Sequence, residues 1–102
     1  MKTIMNRFEK AVKIACDKFD GHLTIMKFTR NWRVAFGTFG ERFEISAMPE
    51  GKTFNEALDN LFEIFEGMDE NARKFETYMR NRAEEEKEKF WLRVYSLDPF
   101  GL

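Results

Sequence analysis

Residues 21–38 read GHLTIMKFTRNWRVAFGT. Two runs rich in β-branched, aromatic and aliphatic residues flank the polar Thr29-Arg30-Asn31, the pattern of a β-hairpin. The strands are expected at about 22–28 and 32–38. With Arg30-Asn31 as a two-residue turn, Thr29 faces Trp32 across the ladder. Leu23, Ile25, Trp32, Val34 and Phe36 then share one face, and Met26, Phe28 and Ala35 the other. Both faces are partly apolar, so the ribbon calls for cover on each side; a two-stranded ribbon alone is marginal in water.

The flanking sequence has helical spacing. Ile4, Phe8, Val12, Ala15 and Phe19 recur at steps of three and four, widened by Met5, Ala11 and Cys16, which predicts a helix over 3–19 stopped by Gly21. Arg42–Ser46 reads either as a loop or as a third strand, and Pro49-Glu50-Gly51 as a turn. Thr53-Phe54-Asn55-Glu56 fits a capping box opening a helix over 53–66, with Phe54, Ala57, Leu58, Leu61, Phe62 and Phe65 inside. Gly67 ends it and Asp69 is placed to cap a further helix or arm over 70–89. In that arm NRAEEEKEK offers only Ala83 as an apolar residue, and Glu84/Lys87, Glu85/Lys89 and Glu86/Lys89 are its expected ion pairs. An apolar tail over 90–102 follows. The fold class is therefore α+β in one domain of 102 residues. Its order is α-β-β-(β)-α-α, with a hairpin packed against helices, a charged C-terminal helical arm and an apolar tail.

Residues 1–42 carry nine Lys/Arg against four Asp/Glu, and residues 43–102 eight against fourteen, so a net charge of −1 hides halves of +5 and −6. Such halves attract each other inside one fold or mark opposed faces. A single cysteine, Cys16, rules out an intrachain disulfide. Charges throughout MKTIMNRFEK leave no signal-peptide core, and the longest stretch free of charge, Val34–Gly40, is far short of the ~20 residues of a membrane span. A cytoplasmic location without membrane contact is expected.

The residues of catalysis are sparse. Cys16, Ser46 and Ser96 sit in no nucleophile motif, His22 is the sole histidine, and no glycine loop cradles phosphate. Asp17, Asp20 and His22 have helix-end and turn roles, so no metal, cofactor or enzymatic activity is expected. Two surfaces stand out instead. Lys27, Arg30, Asn31, Trp32 and Arg33 put cations beside an aromatic and an amide, a partner-binding combination of the kind that holds phosphates and stacks bases. Glu56, Asp59, Glu63 and Glu66 line the wet side of their helix and suit a basic one. Phe90, Trp91, Val94 and Tyr95 are too apolar to be left in water. They are expected either to fold back as a strand or to reach a second subunit in an exchanged homodimer.

Residues 51–63, GKTFNEALDNLFE, preceded by a hairpin, resemble the strand-to-helix passage of HicB-type antitoxins. The wider region, from GHLTIMKFTRNWRVAFGT through MPEGKTFNEALDNLF, resembles small uncharacterised proteins of phages and bacterial mobile elements. The second resemblance implies a bacterial or phage origin. With no active site in view, it points to a non-enzymatic protein-binding module that inhibits a host protein by occlusion, as anti-CRISPR and other anti-defence proteins do. The first resemblance, with the basic first helix, keeps a nucleic-acid-associated or antitoxin-like regulator as the alternative.

Overall fold

In the computed structural model, which describes residues 5–97, the hairpin forms from strands β1 (Leu23–Lys27) and β2 (Trp32–Phe36). Its turn lies one residue earlier than the sequence suggests. The Phe28 N–H donates to the Asn31 carbonyl at 2.8 Å, so Thr29 and Arg30 form the tip. Asn31 is held at the ladder end because its amide also donates to the Glu50 carboxylate at 2.6 Å. Leu23 therefore pairs with Phe36, Ile25 with Val34 and Lys27 with Trp32. This register differs from the expected one by two residues, and a slip of two leaves every side chain on its own face. The expected partition of the two faces survives the shift.

Around the hairpin run α1 (Arg7–Lys18), α2 (Arg42–Ala47), β3 (Glu50–Gly51), α3 (Phe54–Gly67) and α4 (Ala72–Leu97). The fold is α+β, with a three-stranded antiparallel sheet in the order β1-β2-β3. Residues 42–46 are helix and not strand. The Glu44 carboxylate accepts from the Glu41 N–H at 3.1 Å and fixes the first turn of α2. The third strand is the short β3 instead, in what the sequence marks as a turn, where Gly51 pairs with Trp32 and Glu50 with Arg33. It presses on the start of α3 so closely that a Cβ on Gly51 would lie 2.3 Å from the Ala57 backbone nitrogen. Thr53 caps α3 by accepting from the Glu56 N–H at 3.0 Å.

Four phenyl rings from four parts of the chain meet at the centre: Phe19 just after α1, Phe36 on β2, Phe65 on α3 and Phe75 on α4. All six pairings fall between 5.0 and 5.8 Å, mostly tilted or edge-on, as ring quadrupoles prefer. Ala11, Ala15, Val34, Leu58, Leu61 and Met79 close around them, and among the described residues no polar side chain is buried.

Two helices depart from expectation. α1 starts at Arg7, where the Asn6 side chain accepts from the Glu9 N–H at 2.8 Å, and it buries Ala11 and Ala15 while Phe8 and Val12 stay exposed. Small alanines let α1 approach closely, and ion pairs from Arg7 to Asp59 at 2.6 Å and from Lys10 to Glu66 at 3.8 Å join it to α3. Ile4, expected in its stripe, lies outside the described residues. α4 is capped by Asn71, which accepts from the Lys74 N–H at 3.0 Å, and not by Asp69. Asp69 and Glu70 take left-handed conformations (φ +56° and +53°) that turn the chain.

From there α4 runs unbroken for 26 residues, about 39 Å at 1.5 Å per residue. The segment 90–97 is the end of this helix and not a returning strand; residues 98–102 of the expected tail lie outside the described residues. The arm is not polar all round. Ala83 reaches the core edge, and half-buried Arg82 donates to Glu85 and Glu86 at 2.9 and 3.1 Å, replacing the expected Glu–Lys pairs. Burial disfavours the Arg82 charge, but the two carboxylates outweigh it and raise its pKa. Phe90 rests on Phe43 of α2, with ring centres 5.6 Å apart. The last turns of α4 project, and the radius of gyration is 16.0 Å where a compact chain of this length has about 13 Å.

The close approach at Gly51 makes it irreplaceable in a way other glycines are not. Gly51→Ala is expected to lower unfolding free energy by about 2–3 kcal/mol, since the added methyl meets backbone. Gly67→Ala, at the last residue of α3 with open space around it, is expected to raise stability by about 0.5–1 kcal/mol. Denaturant titration of both variants checks the contrast.

Candidate protein-binding surface

The hairpin residues singled out in the sequence do not form one open patch. Arg33 is only 20% exposed in its side chain; its guanidinium donates to the carbonyls of Ser46 and Met48 at 3.1 and 3.0 Å and pairs with Glu50 at 3.1 Å. Asn31 is bonded to the same Glu50, and half-buried Trp32 lies against Phe54 with ring centres 5.1 Å apart. The Lys27 ammonium sits 5.7 Å from the Trp32 ring centre and also donates to the Phe28 carbonyl. Neither Lys27 nor Arg30, which extends from the tip, makes an ion pair among the described residues.

The acidic row on α3 divides similarly. Asp59 and Glu66 are the residues that hold Arg7 and Lys10 of α1. Glu56 and Glu63 are exposed and make no ion pair among the described residues. The basic and acidic halves of the chain thus face each other within the fold: Arg7–Asp59, Lys10–Glu66 and Arg33–Glu50 all join residues 1–42 to residues 43–102.

The projecting end of α4 is one apolar surface left uncovered. Phe90, expected at a subunit contact, is turned inward on Phe43 and lies under the Arg42 guanidinium at 4.4 Å. Trp91, Leu92, Val94 and Tyr95 remain exposed, Leu92 and Tyr95 by 67% and 61%. Trp91 and Tyr95 sit one turn apart with ring centres at 6.3 Å. Glu84, Lys87, Glu88, Trp91, Leu92 and Tyr95 line one shallow concavity along the outer side of the helix. Glu84, Glu88, Trp91 and Tyr95 follow steps of four, three and four, which places them in one row. That row is readable in the sequence once α4 is known to continue past Lys89. The arrangement can anchor aromatic side chains in a groove while placing two carboxylates beside it.

A second concavity, lined by Asp20, His22, Glu41, Glu44, Glu76 and Arg80 among others, lies between the end of α1, the end of β2 and α4. Among the described residues no three His, Cys, Asp or Glu side chains lie close enough to hold a metal ion, and no helix is long and apolar enough to cross a membrane. Cys16 is exposed, and His22 is exposed at the base of β1. Comparison with known protein families, characterised proteins and solved structures finds no match to this chain.

Trp32 is a stabilising side chain in this arrangement. Trp32→Ala is expected to lower stability by about 2–3 kcal/mol, through its lost contact with Phe54 and the gap left beside it. Arg30→Ala should stay within about 0.5 kcal/mol of wild type. Thermal and chemical unfolding of the pair separates packing from an exposed tip.

Proposed function

We propose that this protein is a non-catalytic protein-binding module whose α4 end docks in an apolar groove with a basic rim on another protein. The supporting observation is the exposed row Glu84, Glu88, Trp91 and Tyr95 on a helix already formed and anchored in the core. Aromatic anchors spaced along one helix face are how an amphipathic helix fills a groove. Trp and Tyr are also the residues that most often dominate binding energy. Because the helix is preformed, little ordering entropy opposes docking.

The resemblance to small phage and mobile-element proteins supplies the setting. The target is a host protein, the effect is inhibition by occlusion in the manner of anti-defence proteins, and the place is the bacterial cytoplasm. The alternative, a nucleic-acid or antitoxin-like regulator, draws on the basic first helix and the hairpin turn, with Arg7, Lys10, Lys13, Lys27, Arg30 and Arg33. Arg7, Lys10, Lys13 and Arg33 are paired with carboxylates of this chain, which leaves Lys27 and Arg30 as a small electrostatic footprint for phosphate. A second copy of the chain on the same helix end, the exchanged arrangement expected from the tail, is the other occupant, and light scattering reads it out.

Immobilised wild type and the double variant Trp91→Ala/Tyr95→Ala are compared in capture from a bacterial lysate, followed by affinity measurement with the captured protein. The expected outcome is a protein that binds wild type at least about a hundredfold more tightly than the variant, the scale of losing hot-spot aromatics. Equal binding by both, or binding to duplex DNA that falls steeply with salt, reverses the reading.

A further inference from the structure

β1 is an edge strand of the sheet, and β1 and α1, which precedes it, carry exposed apolar residues. In an antiparallel pair, residues alternate between those bonded to the neighbouring strand and those whose N–H and C=O point away. The Phe28–Asn31 bond and the bond from the Gly37 N–H to the His22 carbonyl, 2.9 Å, fix this alternation. Thr24 and Met26 therefore bond to β2, while Leu23, Ile25 and Lys27 direct their N–H and C=O outward. Among the described residues nothing bonds to those outward groups. Unpaired edges of this kind are templates for another strand. Exposed Ile25, Met5, Phe8 and Val12 provide apolar area from β1 and the adjoining α1.

We infer that this edge pairs with β1 of a second copy of the chain, about a two-fold axis at Ile25, making a continuous six-stranded sheet. The strand is self-complementary in this register: Ile25 meets Ile25, and Leu23 meets Lys27 of the second copy. The outward groups of Leu23, Ile25 and Lys27 supply the donors and acceptors that antiparallel pairing needs. Charge selects the antiparallel copy. Arg30 lies at the tip end of the edge and Asp20 at its base, neither in an ion pair among the described residues, whereas Asp17 is paired with Lys13 at 3.0 Å. The two-fold sets each Arg30 at the level of Asp20 of the other copy. A parallel strand would set Arg30 against Arg30.

Sedimentation equilibrium from about 10 µM to about 1 mM, the range of a small interface, is expected to show a reversible dimer. As concentration rises, amide exchange should slow at Leu23, Ile25 and Lys27 but not at Thr24 or Met26, which already bond to β2. Ile25→Pro removes an outward N–H, a position where an edge strand tolerates proline, and is expected to fold and stay monomeric. Ile25→Lys, which brings two ammonium groups together on the axis, is expected to do the same. Arg30→Glu should weaken the dimer by roughly tenfold, two lost charge pairs at an exposed rim. The Trp91→Ala/Tyr95→Ala variant should dimerise as wild type does, so this inference and the α4 reading fail independently. A wild type monomeric at 1 mM, or a folded Ile25→Lys that dimerises like wild type, overturns the inference.

Discussion

Phe19, Phe36, Phe65 and Phe75 hold the molecule together because each comes from a different part of the chain. A ring from the end of α1, one from the central strand and one from each long helix can touch pairwise only if all four segments are in place. Removing any one ring leaves the other three facing a void, which in a close-packed interior refills only in part. Among the described residues no polar side chain is buried to select an arrangement by hydrogen bonding, so ring shape and edge-to-face preference select it. The alanines of α1 and Gly51 serve the same end by letting backbone approach where a larger side chain would hold it off.

The charges then sort themselves around this core. The uneven halves of the sequence resolve into pairs across the α1–α3 seam and the β2–β3 ladder. These pairs are mostly solvent-exposed, so each stabilises little, in the range of about 0–1 kcal/mol. Arg7 and Lys10 join α1 to α3, while Ala11 and Ala15 face inward and Met5, Phe8 and Val12 stay outside. Ile25 is exposed on the edge strand. The other exposed group rides on the end of α4. The molecule thus separates its uncovered apolar surface into a strand edge and a helix face, two chemically different kinds of contact.

The hairpin, the two faces of its strands and the buried stripe of α3 were legible because period-two and period-3.6 patterns are strong there, and Thr53 has a side chain that caps. Residues 42–46 were ambiguous because Phe43 and Ile45 alternate as in a strand; the deciding Glu44 bond to the Glu41 amide is a single local interaction. The facing of α1 was hidden because Phe8 and Val12 fit an apolar stripe as well as Ala11 and Ala15, and the choice depends on packing against α3, distant in the chain. In α4 the charged run obscured the continuing helix, since the surface that receives Phe90 belongs to α2. For the candidate residues, hairpin cations looked free in the sequence because Arg33's acceptors are backbone carbonyls, which no composition announces.

α4 is also a lever. Its root is clamped where Phe75 and Met79 enter the core, and Trp91 stands 16 residues beyond Phe75, about 24 Å along the axis. A tilt of about 5° at the root would swing that indole by about 2 Å, enough to miss a pocket shaped for it. The braces that resist such a tilt are the contacts of α2, chiefly Phe43 and Arg42 against Phe90. A six-residue helix that touches no proposed ligand therefore governs the aim of the residues that would. Variation in α2 can retarget the arm while every anchoring side chain remains unchanged.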